Sequence, residues 1–142
     1  MRPASIVMFD RLFLASLAIS VVSFVLSYDT LADQFANDPA MARAGIGSGL
    51  VTGLMIGSVV IYLLLWFLIS RKASNVAKWI LVVLVALSLY SIAGSIGGPW
   101  GFLTILGMLS YALEVAAVVY LFRDDAKAWF RGEAAADPAA FD

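Results

Sequence analysis

Four stretches of this chain, roughly 9–28, 48–70, 79–96 and 102–122, are long and apolar enough to cross a bilayer. No other feature constrains the fold as strongly. In hydrocarbon the backbone must satisfy its own N–H and C=O groups, and about 20 apolar residues in a helix achieve both that and the crossing. The expected fold is therefore all-α: a polytopic membrane protein with four transmembrane helices in an up-down-up-down bundle, built from two hairpins. Composition points the same way, since only 13% of the 142 residues are charged. Soluble domains carry about 25% and use them to cover a water-facing surface.

The basic residues orient the spans. Arg2 and Arg11, then Arg71, Lys72 and Lys78, then Arg123, Lys127 and Arg131 all fall on one side of the predicted membrane. Arg43 falls on the other, beside Asp29, Asp33 and Asp38. The positive-inside rule then places both termini in the cytoplasm. A cleaved signal peptide is not expected, because the first apolar run is long and no A-x-A site follows it. Residues 1–131 form the membrane domain, with a short interfacial helix at about 124–131. Residues 132–142 are Ala-rich and acidic and read as a disordered cytoplasmic tail. Trp129 and Phe130, like Trp79 and Trp100, have the character of interface anchors.

Local signals define the hairpins. Asp38-Pro39 is a strong helix start, so the second helix is expected to begin there and run to about Ser70. Leu31 and Phe35 extend the first helix beyond its span, giving a hairpin that protrudes about two turns from the membrane. Gly45, Gly49, Gly53 and Gly57 make a small-residue ridge, a glycine zipper pattern, and Ser16, Ser20, Ser23 and Ser27 share a face of the first helix. The pairs Ser27–Gly49, Ser23–Gly53 and Ser20–Gly57 are symmetric about residue 38 to within one residue, which predicts ridge against serines in one tight hairpin. In the second half Gly94–Thr104, Ser91–Gly107 and Ser88–Ser110 are symmetric about Pro99, the expected turn.

Glu114 is the exception in an otherwise lipid-compatible span. A charge at mid-membrane costs about 2.5–3.5 kcal/mol on insertion scales, so something must compensate it. Gly107, Ser110, Tyr111 and Ala117 share its face, whereas Ile105, Leu109, Ala112, Ala116 and Val119 occupy the opposite one. The carboxyl group is thus expected inside the bundle, where depth matching brings Ser88, Ser16 and Tyr62 to its layer. Arg11 is the one basic side chain that could snorkel toward it. Two roles follow: a neutral, hydrogen-bonded link between helices, favoured by the lack of a polar pathway, or the proton or cation site of a small transporter. Small multidrug exporters also combine four helices with a membrane-embedded glutamate, but theirs lies in the first helix and their surrounding pattern is absent here.

The chain contains no Cys and no His. Disulfide exchange, imidazole metal sites and histidine-ligated haem are thereby excluded, and no cofactor is expected. No nucleophile–base pair is readable; Asp10, Glu114 and the tyrosines are the candidate acid–base groups, so an enzyme is not expected. A net charge of −1 gives no reason to expect nucleic acid. The stretches "RPASIVMFDRLFLASLAI", "SRKASNVAKWILVVL" and "YLFRDDAKAWFRG" together resemble small four-helix bacterial inner-membrane proteins without an assigned activity. That resemblance implies an inner-membrane location and adds no mechanism. The leading expectation is a non-catalytic structural, accessory or regulatory bundle whose partners are the bilayer and another membrane protein or a second copy. The alternative is a small oligomeric proton-coupled transporter or channel using Glu114. Cysteine accessibility checks the topology: Arg43→Cys should label from outside the cell and Asn75→Cys only from the cytoplasm, and the reverse pattern would invert the assignment.

Overall fold

A computed structural model of the chain describes residues 2–98 and 100–132. The tail beyond Gly132, and Pro99 at the centre of the second expected turn, lie outside the described residues. Six helices follow in order: α1 Ala4–Asn37, α2 Pro39–Arg43, α3 Ser48–Lys72, α4 Asn75–Ile96, α5 Phe102–Tyr120 and α6 Asp124–Phe130. Among the described residues, α1, α3, α4 and α5 are long and apolar enough to cross a membrane. They form a four-helix bundle, and the chain is a multi-pass membrane protein. Its outer surface is correspondingly greasy, with Val22, Val25, Leu54, Val60, Val83 and Leu87 exposed on every spanning element but the last. On α5 Ile105 and Val119 do the same.

At about 1.5 Å per residue, the 34 residues of α1 extend about 50 Å, well past a hydrocarbon core of about 30 Å. The overhang carries Asp29 and Asp33, both exposed. Asp38 caps the next turn as its sequence suggests, with its carboxylate accepting from Ala40 N at 2.7 Å. The helix that starts there is short, however. Gly45 adopts φ +68°, a left-handed conformation that an L side chain resists, and α3 begins only at Ser48. The second span therefore does not run unbroken from Pro39. At the other end of α3, Ala73 takes φ 50° and the Ser74 amide donates back to Leu68 O at 3.0 Å. Ser74 Oγ then accepts from Ala77 N and caps α4, so two residues suffice for the turn.

The four spans close into a ring in which α1 touches α3 and α5, and α4 completes the circuit. The most extensive interface is between α1 and α5, the first and last spans, rather than within either hairpin. The serine face of α1 explains this. Ser110 Oγ on α5 donates to the Ser16 carbonyl at 2.8 Å and pairs with Ser20 Oγ at 2.6 Å. Ser27 instead bonds its own helix at Ser23 O and Phe24 O, and the buried Ser23 hydroxyl has no hydrogen-bond partner.

The glycine ridge consequently does not meet the serines. Gly49 and Gly53 are exposed, and a methyl group added at Gly49, Gly53 or Gly57 would meet nothing within 4 Å. Large groups hold α1 and α3 apart instead: Phe13 stacks on Tyr62 with ring centroids 6.0 Å apart, and Tyr28 OH bonds Thr52 at 2.9 Å. The α4–α5 seam is equally open at Gly94 and Gly107. One direct link across it is Tyr111 OH donating to Val85 O at 3.1 Å.

Packing is uneven along the bundle. Phe9 and Phe13 of α1, Leu65 and Ile69 of α3, Leu81 of α4 and Leu121 at the C-cap of α5 are all buried in one cluster. Each belongs to the end of its helix that lies on the side of the two termini. In the half nearer α2, Val51 is the buried apolar side chain among the described residues. The terminal end is also tied by polar contacts. Arg2 forms an ion pair with Asp10 and donates to Ser70 Oγ at 2.9 Å, while Trp66 Nε1 donates to Asp10 at 2.9 Å. Asp125 of α6 reaches the start of α1, accepting from Ser5 N at 3.0 Å and Ser5 Oγ at 2.7 Å. α1 has no side-chain cap of its own, so α6 supplies one. Trp129 and Phe130 pack against the core cluster instead of serving only as outward anchors.

Two outcomes follow for stability. Gly53→Ala should be neutral or stabilising by up to about 1 kcal/mol, because it improves helix propensity without a clash. A loss of stability in thermal unfolding would mean that the glycine face is packed after all. The Ser5 donors hold the Asp125 carboxyl below the usual carboxylate range. Its contribution is thus present above the unfolded value of about 3.9 and fades as pH falls through the lower folded value. Asp125→Ala should cost about 0.5–1 kcal/mol at neutral pH, the low end for a cap because the carboxylate is exposed. The difference from the parent chain should shrink as pH falls below the unfolded value, as followed by circular dichroism.

Candidate functional site

Above the packed cluster the four spans separate and enclose a partly open cavity of about 340 Å³. Its floor and walls come from all four: Ser16 of α1, Tyr62 of α3, Ser88 of α4, and Ser110, Tyr111 and Glu114 of α5. Ser16, Tyr62, Ser88 and Ser110 are the residues expected at the depth of Glu114, and the remaining candidate, the snorkelling Arg11, is not with them. That side chain is exposed and not among the cavity-lining residues, so it does not compensate Glu114. Its helix presents the serine stripe inward, and Arg11 lies off that stripe. Toward the loop end the lining becomes apolar, with Val21 and Phe24 of α1, Met55 and Val59 of α3 and Ile92 of α4.

Glu114 stands at the polar end of this space. The Tyr62 hydroxyl interacts with its carboxyl group and with Ser88. The second carboxyl oxygen, Oε1, is buried and has no hydrogen-bond partner. An acceptor left unmade in this way costs about 1–3 kcal/mol, and more if charged. The hydroxyl protons around it are committed elsewhere. Ser16 Oγ donates to Phe13 O at 2.7 Å, Ser88 Oγ to Leu84 O at 2.9 Å and Ser58 Oγ to Met55 O at 2.8 Å. Ser110 and Tyr111 donate to main-chain carbonyls, as described above. Of the two partners expected for Glu114, Ser88 and Tyr62, the tyrosine is met, while Ser88 turns its own proton to Leu84 O and Oε1 is left unpaired.

Among the described residues no cluster of three metal-ligating side chains exists. Two further polar groupings escaped the sequence. The Arg2–Asp10–Trp66–Ser70 knot joins positions far apart in the chain, and only the presence of an acid inside an apolar run hinted at it. Lys78 is the other: its side chain is 7% exposed, with Nζ 4.7 Å from the Phe130 ring and 5.0 Å from Phe122. Cation–π attraction compensates its burial and pins α6 to α4.

No protein-family model, curated protein or solved structure matches this chain.

Proposed function

We propose that the chain is a small bacterial inner-membrane protein, with both termini cytoplasmic, that binds a small amphipathic solute in its intramembrane cavity at Glu114. This is the binding step of a small transporter, and no catalytic role is assigned to it. One observation carries the reading: Glu114 Oε1 is buried, borders a cavity and lacks a hydrogen bond. A carboxyl group acting only as a link between helices would use both oxygens on its neighbours. A solute that donates to Oε1 recovers the desolvation cost, and a cavity of about 340 Å³ lies in the range of small-molecule sites. Ionisable groups at this depth are functional hypotheses by default.

The second reading, an accessory bundle that joins a larger assembly or self-associates, draws support from the exposed Gly49 and Gly53, where another helix could approach closely. Binding separates the two. The reconstituted protein, screened by thermal shift against a panel of amphipathic acids, alcohols and amines, should be stabilised by at least one class. Glu114→Gln should weaken that effect by about tenfold or more while preserving the helical spectrum, the magnitude for one charge-assisted hydrogen bond. A panel without any Glu114-dependent ligand would favour the accessory bundle.

A further inference from the structure

The chemistry of the lining selects among solutes. Resting on the binding role proposed for Glu114, we infer that the solute is a lipophilic primary or secondary amine, held as an ammonium by Glu114 Oε1, with its apolar body toward the loop end. Three independent features support this class. First, the hydroxyl donors of Ser16, Ser58, Ser88, Ser110 and Tyr111 are already directed at main-chain carbonyls. What the lining retains is acceptor capacity, chiefly Oε1, so the solute must bring the donor. Second, no Lys or Arg lines the cavity, whereas the rings of Phe24, Tyr62 and Tyr111 do. Such a wall offers nothing to an anion and attracts a cation through ring quadrupoles.

Third, the approach is acidic. The loop end carries Asp29, Asp33 and Asp38 against the single cation Arg43, three negative charges and one positive. The cluster of Phe9, Phe13, Leu65 and Leu81 blocks the terminal end, where the remaining basic residues gather. A cation is thus drawn toward the end of the bundle that the packed cluster does not fill. An amine also suits either form of the acid. With a carboxylate the ammonium pairs directly. With a neutral acid the carboxyl proton passes to the amine lone pair and the same ion pair results, with no net charge added to the membrane interior.

The test uses the full chain in phosphatidylcholine nanodiscs, whose headgroups carry no N–H. Equilibrium dialysis compares 4-phenylbutylamine with 4-phenylbutan-1-ol and 4-phenylbutyrate, with empty nanodiscs giving the lipid background. The amine should bind about tenfold or more tighter than either analogue, the size of one charge-assisted contact. Glu114→Gln should reduce it to the level of the alcohol. Gly107→Leu, which fills cavity space where an added side chain meets no neighbour, should exclude the amine and the alcohol alike. Alcohol bound as tightly as amine, but still excluded by Gly107→Leu, would overturn the amine assignment and leave the binding cavity standing. Amine uptake unaffected by either variant would place the probe in lipid and overturn the inference outright, with the solute panel deciding separately whether Glu114 binds anything.

Discussion

Lipid offers no hydrogen bonds, and the arrangement of polar side chains in this bundle follows from that. Most of the serines described on the spanning helices either turn back on their own backbone, as Ser16, Ser27, Ser58 and Ser88 do, or cross to a neighbour, as Ser110 does to α1, with the buried Ser23 hydroxyl an exception. Back-bonding satisfies the hydroxyl without a partner helix but contributes nothing to association. Crossing joins two helices, and Ser110 makes its crossing at the interface that proves the most extensive. With little hydrophobic drive between helices in hydrocarbon, close fit and a few such bonds decide who neighbours whom.

The same constraint divides the bundle into two unlike halves. At the terminal end, phenylalanines and leucines interdigitate, and the Arg2–Asp10–Trp66–Ser70 knot, the Asp125 cap and the caged Lys78 fasten the segments together. At the loop end side chains such as Phe24, Met55 and Ile92 line a space that they do not fill, and Gly107 leaves it open. Packing density is what normally removes space between helices, and here it is high on one side only. The cavity is the geometric consequence, and Glu114 sits at the boundary between the halves.

That boundary position was legible before any coordinates. The depth of a residue in an antiparallel bundle depends only on helix rise and topology, so Ser16, Tyr62, Ser88 and Ser110 could be assigned to the layer of Glu114 from their numbers. The face of each residue was harder. Symmetry about residue 38 aligned Ser23 with Gly53 in depth, but equal depth does not put two residues in one interface. Arg11 illustrates a related limit: its side chain is long enough to be considered, yet the helical phase carries it away from the cavity.

What the sequence by itself determined is the set of spans, their all-helical character, the cap at Asp38 and the interior direction of Glu114. These depend on local quantities: apolar run length, period and capping chemistry. Tertiary structure alone decided that α1 packs chiefly on α5, that the glycine ridge faces outward and that one carboxyl oxygen is left without a partner. The physical reason is that lipid and protein interior are almost equally apolar. Hydropathy therefore cannot tell a lipid-facing residue from a helix-facing one, and the choice falls to shape: Phe13 against Tyr62 and Tyr28 against Thr52 hold α3 away from α1, while Ser16, Ser20 and Ser110 let α5 come close.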